Sequence, residues 1–156
     1  MNNKQIHIVS APKHTGKTTK LIQWSANRND VFGILTPIEN GNRIFMDAHT
    51  KEPFHMEAME TETDVLKIGK YHFSKASFDK ASGILLAALQ QVKGYIIIDE
   101  IGPLELGGFG FAATVKTVLA DEKNKLQIII VVREELLEKA VAYFNLKQFE
   151  VVPMDF

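Results

Sequence analysis

The chain has 156 residues, no cysteine, 46% hydrophobic residues and a formal net charge of -1 at pH 7. These figures predict one globular domain over residues 1–156, and they exclude disulfide frameworks, thiolate metal sites and cysteine nucleophiles. Lys and Arg (18) nearly balance Asp and Glu (19), which argues against nucleic acid as the main partner. No apolar run approaches the ~20 residues that span a bilayer. We therefore expect a cytoplasmic protein that does not bind membranes.

The first elements along the chain alternate in type. Residues 5–10 form a β-prone run, residues 16–28 carry apolar side chains at helical spacing, and residues 31–36 form a second β-prone run. Residues 39–73 differ, because turn signals separate short β-like pieces. These pieces lie at 43–46, 54–56, 65–68 and 71–73. We interpret the whole stretch as a small antiparallel insertion.

Regular alternation resumes after the insertion. Ser74 or Ser77 is expected to cap a helix that runs to about Val92 and ends at Gly94. The later predictions are a strand at 95–98, a glycine-rich loop at 101–110, a helix at 111–121, a strand at 126–132, a helix at 134–143 and a strand at 149–152. These strands are too continuously apolar for a sheet with one solvent-exposed face. The pattern predicts an α/β fold, with a mostly parallel sheet covered by helices on both faces.

The segment between the first strand and its helix carries a phosphate-binding motif. Its last three residues, Gly16, Lys17 and Thr18, end a P-loop pattern in the expected strand–loop–helix context. In such a loop the backbone N–H groups surround phosphate oxygens, the lysine reaches the β- and γ-phosphates, and the hydroxyl ligates Mg²⁺. The predicted nucleotide-binding residues are Ala11, Pro12, Lys13, His14, Thr15, Gly16, Lys17, Thr18 and Thr19. A chance Gly-Lys-Thr triplet is the weaker explanation, because the flanking elements fit.

Three residues of this loop depart from the usual pattern or have an open role. Ala11 replaces the opening glycine of the usual pattern. His14 stands where many such loops have another glycine, which predicts a backbone in or near the left-handed region there. A solvated side chain explains Lys13 at least as well as a phosphate contact does.

Two acids follow the buried strand at 95–98. Ligands of open α/β sheets bind at the carboxyl ends of strands. Asp99 is therefore suited to hold the water shell of Mg²⁺, and Glu100 to position and deprotonate a water that attacks the γ-phosphate. Two acids after an apolar strand often merely begin a loop, but their occurrence with a P-loop favours the catalytic interpretation. An acid pair indicates hydrolysis, whereas a phosphotransferase would need a second pocket for its acceptor.

Taken together, these segments resemble the THEP1-type nucleoside-triphosphatase family. The matching segments are 11–19, 33–36, Arg43, 67–71 and 98–105. The resemblance implies a three-layer, RecA-like P-loop NTPase fold with an additional strand between the two motif-bearing strands and a small β insertion. It implies a Mg²⁺-dependent hydrolase that takes several nucleoside triphosphates, ATP and GTP among them. For this chain it points to Lys17 and Thr18 for phosphate and metal, Asp99 for metal and Glu100 as the base.

The same resemblance draws attention to two residues whose roles stay open. Glu105, after Gly-Pro-Leu, either faces the metal or the attacking water, or it is a helix-capping or surface acid. Arg133 either stabilises charge on the transferring phosphoryl group or forms a salt bridge with Glu134 or Glu138. Family members often have His-Arg at this point, whereas Val132 precedes the arginine here.

The insertion adds candidate contacts to a nucleotide. Arg43 pairs with a phosphate if its hairpin folds over the site, although a hairpin arginine is more often structural. Lys70, Tyr71 and Phe78 are candidates for base or ribose contacts, with packing of the insertion against the sheet as the favoured alternative. We also expect Trp24 to lie in the core.

The sequence therefore predicts a Mg²⁺-dependent nucleoside-triphosphate phosphohydrolase with broad base tolerance. One alternative is a nucleotide or small-molecule kinase, which the lack of an arginine-rich lid disfavours. The other is a nucleotide-dependent adaptor, in which the Gly107–Phe111 loop, with three glycines and two aromatic residues, is mobile and contacts a protein partner.

Overall fold

The computed structural model describes residues 5–122 and 125–153. The elements before the second helix are β1 (Ile6–Ala11), α1 (Lys17–Ser25), β2 (Val31–Leu35), β3 (Ile38–Glu39), β4 (Asn42–Asp47), β5 (Pro53–His55), β6 (Val65–Ile68) and β7 (Tyr71–Ser74). The later elements are α2 (Lys75–Ala88), β8 (Lys93–Ile101), α3 (Pro103–Leu106), α4 (Ala112–Ala120), β9 (Lys125–Arg133), α5 (Leu137–Tyr143) and β10 (Glu150–Val152). A 3₁₀ turn at Glu134–Leu136 leads into α5. Within the described ranges, no helix is long and apolar enough to cross a membrane.

The large sheet has the strand order β10-β1-β9-β8-β2-β4-β3, with β5 beside β4. The five strands from β10 to β2 pair in parallel, and β4 runs antiparallel to β2. Strand β9 therefore lies between β1 and β8, which is the additional strand that the resemblance implied. This order brings the carboxyl ends of β1, β9 and β8 to one edge of the sheet, where the candidate site residues are found.

Each face of the sheet has its own core, because successive side chains of a strand point to opposite faces. On β8, Ile96 and Ile98 pack in a cluster with Phe78 of α2. The same cluster includes side chains of α4 and α5. Ile97 packs in a separate cluster with Leu21 of α1. All three isoleucines are fully buried, and each contributes roughly 1.5–3 kcal/mol through its burial. The expected α/β fold with helices on both faces is confirmed.

The predicted insertion is divided between two sheets. Strand β4 extends the large sheet through the pairs Ile34–Asp47 and Leu35–Met46, whereas β6 and β7 form a separate two-stranded hairpin. Phe45 on β4 is fully buried and belongs to the larger core cluster. Much of the inserted segment is therefore continuous with the main sheet, because an aromatic side chain fixes it there.

Several predicted boundaries and positions were wrong. Helix α1 ends at Ser25 rather than Arg28, and α2 ends at Ala88 rather than Val92. The expected cap of α2 is confirmed: of the two candidates it is Ser74, whose hydroxyl accepts a hydrogen bond from the Ser77 N–H at 3.1 Å. The predicted loop at 101–110 contains α3, because a proline can begin a helix without leaving an N–H unpaired. Trp24 is only partly buried and packs against Tyr95.

Close packing of β2 on β8 gives a stability prediction. Gly33 has a φ of 102°, and a Cβ atom there would lie 2.2 Å from the Ile97 carbonyl oxygen. Gly33→Ala is expected to lower the free energy of unfolding by about 1–3 kcal/mol, because β2 must move away from β8. The matched control, Gly83→Ala in α2, meets no atom within 4 Å and should raise stability by about 0.5–1 kcal/mol. Urea unfolding curves measure both changes; an unchanged or more stable Gly33→Ala variant would contradict this packing.

Candidate active site

The loop between β1 and α1, residues 12–16 (the β1–α1 loop), leaves the start of α1 open. Gly16 precedes the helix with a φ of 86°, and no side-chain cap accepts from the first helical N–H groups. His14 has a φ of 62°, which confirms the left-handed backbone expected there. A helix N-terminus with free N–H groups carries partial positive charge and is suited to bind an anion such as phosphate.

Lys17 lies folded back into this loop. Its Nζ donates hydrogen bonds to the carbonyl oxygens of Pro12 at 3.0 Å and Ala11 at 3.3 Å, and the residue is 7% exposed. The Thr15 hydroxyl donates to the same Pro12 oxygen at 2.7 Å. Since an ammonium group has three donors, one N–H of Lys17 remains for a phosphate held by the loop.

Asp99 connects three parts of the site through one oxygen. Its Oδ2 accepts hydrogen bonds from the Thr18 hydroxyl at 2.7 Å and from the Thr36 N–H at 3.0 Å. Asp99 is fully buried, and its Oδ1 has no hydrogen-bond partner among the described residues. Burial raises the pKa of Asp99 to about 6, and the nearby Glu100 carboxylate also raises it, against the opposing Thr18 hydrogen bond.

An unpaired, buried carboxylate oxygen is costly unless a cation or a donor satisfies it. Asp99 Oδ1 and the Thr18 hydroxyl supply the oxygen ligands that Mg²⁺ prefers, and Mg²⁺ in proteins commonly takes one or two carboxylates plus substrate phosphates. Within the described residues, no cluster of three or more His, Asp or Glu side chains could hold a metal by itself. The residues present therefore fit a cation that arrives with nucleotide phosphates.

Glu100 lies at an irregularity of β8. Asp99 pairs with Val131 and Ile101 pairs with Val132, so Glu100 has no partner on β9. The bulge lets Ile101, rather than Glu100, take the next position in the core. A bulge re-aims a side chain in this way. The Glu100 side chain, 17% exposed, consequently lines the cleft beside the β1–α1 loop.

Arg133 ends β9 next to this carboxylate. Its Nε lies 3.8 Å from Glu100 Oε1, and its Nη1 lies 3.8 Å from Glu135 Oε1. The ion pairs therefore involve Glu100 and Glu135, not Glu134 or Glu138 as the structural alternative supposed. Because the guanidinium is partly exposed, these pairs contribute little stability, and the group faces the same cleft.

The contacts of Glu105 are those expected of a helix-capping residue. Its Oε1 accepts from the Gly102 N–H at 3.0 Å and its Oε2 from the Phe111 N–H at 3.2 Å. The residue is 4% exposed, and burial raises its pKa to about 7. At Gly110 a Cβ atom would lie 2.0 Å from Oε2, so only glycine leaves room for this carboxylate. Glu105 thus joins both ends of the segment that connects β8 to α4.

These contacts also correct the expectation that the Gly107–Phe111 loop is mobile. Phe111 is 2% exposed and packs in the core, whereas Phe109 is 60% exposed. Backbone N–H groups of Gly107, Gly108 and Phe109 donate to carbonyl oxygens of α3. The loop is therefore anchored along most of its length, because α3 forms where the sequence suggested irregular chain.

The predicted site residues meet in one cleft of about 1000 Å³. Among its lining residues are Lys13, His14, Thr15, Gly16, Lys17, Thr18, Thr19, Glu100, Glu105 and Arg133. Ala11 and Asp99 lie buried behind this surface, and Pro12 is exposed beside it. Arg43 also lines the cleft, but its Nη1 is engaged with the Thr36 carbonyl oxygen at 2.9 Å.

Sequence reasoning missed two features of this cleft. One is Thr36, whose N–H binds Asp99 and whose buried hydroxyl has no partner among the described residues. The available signal was a polar residue at the carboxyl end of β2, the strand beside β8. The other is an apolar far end, walled by side chains from β4, β7, α2 and the start of α4.

Comparison with known proteins identifies relatives of this chain. A family model described as NTPase matches residues 6–154. The nucleoside-triphosphatase THEP1 of Saccharolobus solfataricus is 31% identical over 137 residues, which cover 82% of this chain and 77% of that protein. The family resemblance inferred from the motifs is thereby confirmed.

Two solved structures share the fold. The crystal structure of THEP1 from the hyperthermophile Aquifex aeolicus matches with a TM-score of 0.70 and 19% identity, over 96% of this chain and 90% of that one. The solution structure of a human cancer-related nucleoside triphosphatase matches with a TM-score of 0.65 and 21% identity, over 96% and 88% of the two chains.

The buried carboxyl of Glu105 predicts a pH dependence of stability. Its pKa is about 7 in the folded chain against 4.5 for the free side chain, so the folded chain binds this proton more tightly. The free energy of unfolding of the wild type, relative to Glu105→Gln, should fall by about 3 kcal/mol as the pH rises from 4.5 to 7. Urea titrations of both proteins across this range measure the difference. Parallel pH profiles would show that Glu105 titrates normally.

Proposed function

Because the chain belongs to the NTPase family and is a nucleoside-triphosphatase, we propose that this cleft uses Mg²⁺ to hydrolyse nucleoside triphosphates to the diphosphate and phosphate. The observation that carries the proposal is the pairing of Thr18 with Asp99, beside a Glu100 side chain that a bulge turns into the cleft. This combination brings a phosphate-binding loop, oxygen ligands for Mg²⁺ and a carboxylate base to one edge of the sheet.

The β1–α1 loop acts as a P-loop and neutralises the phosphates. The open N–H groups at the start of α1 bind phosphate oxygens, and Lys17 donates its remaining N–H to the β- and γ-phosphates. Since the ammonium is already held by the Ala11 and Pro12 carbonyl oxygens, little side-chain ordering remains to be done when the nucleotide binds.

Asp99 and Thr18 would hold Mg²⁺ in the loaded enzyme. When bound, the cation neutralises charge that develops on the β- and γ-phosphate oxygens. The Thr36 N–H keeps Asp99 Oδ2 in place, so that Oδ1 stays oriented as a ligand.

Glu100 positions the attacking water and accepts its proton as the water oxygen bonds to the γ-phosphorus. The bond from that phosphorus to the β–γ bridging oxygen breaks, and the nucleoside diphosphate leaves. Arg133, whose Nε lies 3.8 Å from Glu100 Oε1, stabilises charge on the phosphoryl group. Glu105 does not take part in the proton transfer. It keeps the segment after Glu100 in place through its two backbone hydrogen bonds.

Broad base tolerance follows from where the polar groups are. The residues assigned above act on phosphates, which all nucleoside triphosphates share, so ATP, GTP and other triphosphates are accepted. Binding through the phosphates does not require a hydrogen bond to the edge of one particular base.

The proposed roles predict different defects for Glu100 and Lys17. Glu100→Gln should keep nucleotide binding and lower kcat by roughly 10²–10⁴-fold, since it removes the proton acceptor but preserves shape. Lys17→Ala should weaken both nucleotide binding and turnover. Phosphate release and binding of a nonhydrolysable nucleotide measure the two effects.

Glu135→Gln is the matched control for Glu100→Gln. Glu135 also lies 3.8 Å from the Arg133 guanidinium but is 58% exposed. The Glu135→Gln variant should retain wild-type turnover. Wild-type phosphate release by Glu100→Gln, or an equal loss in both variants, would show that Glu100 is not the base.

A further inference from the structure

Arg43 carries a positive charge that no carboxylate neutralises in the part of the chain that the structure describes. The chain has three arginines. Arg28 pairs with Asp30, and Arg133 pairs with two glutamates, but none of the ion pairs between described residues includes Arg43. Arg43 is partly exposed and lines the cleft. A guanidinium in a cleft without a counter-charge favours the binding of an anion, and its planar set of donors suits a phosphate.

Backbone contacts fix Arg43 above the carboxyl end of β2. Its Nη1 donates to the Thr36 carbonyl oxygen at 2.9 Å. Arg43 pairs with Ile38 across the β3–β4 hairpin, and the next residue, Ile44, donates its N–H to the Pro37 carbonyl oxygen at 2.9 Å. The guanidinium is therefore oriented by the protein itself, and most of its N–H donors remain for a ligand. Such preorganisation reduces the entropy that binding costs.

Thr36 connects Arg43 to Asp99. Its carbonyl oxygen accepts from Arg43, while its N–H donates to Asp99 Oδ2 at 3.0 Å. Burial raises the pKa of Asp99, and the Arg43 guanidinium is among the groups that oppose this rise, as a nearby positive charge does. Arg43 and Asp99 therefore lie at the same end of the cleft. A phosphate that ligates a cation held by Asp99 comes close to the guanidinium as well.

The order of strands indicates which phosphate meets Arg43. Strands β1, β9, β8, β2 and β4 follow one another in the sheet, and β4 is antiparallel, so its first residues lie at the carboxyl edge of β2. Asp99 on β8 consequently lies between the β1–α1 loop and Arg43. In nucleotide hydrolysis Mg²⁺ bridges oxygens of the β- and γ-phosphates. With Mg²⁺ at Asp99, the γ-phosphate is directed toward β8, and Arg43 reaches it from the side away from the loop.

We propose that Arg43 donates hydrogen bonds to the γ-phosphate of the bound nucleoside triphosphate and thereby distinguishes the triphosphate from the diphosphate. This inference rests on the proposed function, because it concerns the same bound nucleotide. Arg43 neutralises charge on the γ-phosphate oxygens as the water oxygen bonds to the γ-phosphorus and the bond to the β–γ bridging oxygen breaks. Arg133, on β9, acts from the other side of β8. The diphosphate product lacks the group that Arg43 binds.

The test compares the binding of ADP and of a nonhydrolysable ATP analogue to the full chain, both with Mg²⁺, by calorimetric titration. Arg43→Gln should weaken binding of the analogue by roughly 10–100-fold, because charge-assisted hydrogen bonds are lost, and leave binding of ADP unchanged. The kcat for phosphate release should fall by roughly 10²–10³-fold. Arg43→Lys should recover part of both losses, since lysine keeps the charge but not the planar set of donors.

Arg28→Gln is the matched control. It removes the same charge, but Arg28 pairs with Asp30 and lies outside the cleft. This variant should bind both nucleotides and release phosphate as the wild type does. Thermal melting shows whether each variant is folded. If Arg43→Gln does not fold, Arg43→Lys provides the comparison, and its preference for the analogue over ADP should still be lower than that of the wild type.

Three other results would each contradict a specific claim. Equal weakening of ADP and analogue binding would mean that Arg43 supports the site only through Thr36 and Asp99, and would overturn the inference. Wild-type binding of the analogue by the Arg43 variants would also overturn it, while leaving the hydrolase intact. The absence of phosphate release from the wild type would instead refute the proposed function, and the two affinities would still decide whether Arg43 contacts the γ-phosphate.

Discussion

One buried oxygen, Oδ2 of Asp99, holds the candidate site together. It accepts hydrogen bonds from Thr18 at the start of α1 and from Thr36 after β2, while Asp99 itself belongs to β8. Three segments that are far apart in sequence are thereby fixed at one edge of the sheet. The position of the phosphate grip relative to Glu100 depends on this contact, because the bulge that aims Glu100 directly follows Asp99.

Asp99 and Glu105 show two ways of burying a carboxylate. Both oxygens of Glu105 accept backbone N–H groups, so its buried group is satisfied and serves the architecture. Asp99 has both of its donors on Oδ2 and none on Oδ1 among the described residues. Since burial raises the pKa of both groups, charge does not distinguish them. The unpaired Oδ1 does distinguish them, and it supports the proposed role of Asp99 as a metal ligand.

Local sequence patterns predicted the parts of this protein that local chemistry determines. The β1–α1 loop, the left-handed His14 and the acids after a buried strand follow from short motifs, whereas the strand order came from the family resemblance. Neither periodicity nor motifs could show that β4 pairs with β2, because the partner of a strand depends on residues far away in the sequence. Phe45, Phe78 and Phe111 are each 33 residues from the next, so their convergence into one wall also had no local signal. Short helix α3 has no distinct sequence signal, because the glycines and the proline at its ends favour a loop equally well.

The central claim is that Asp99 and Thr18 bind a divalent cation together with nucleotide phosphates, and that this assembly is required for hydrolysis. The most direct measurement is phosphate release from ATP, GTP, CTP and UTP, each with Mg²⁺ and with EDTA in its place. The account predicts release from all four nucleotides with Mg²⁺ and almost none with EDTA. Equal release under both conditions would contradict it.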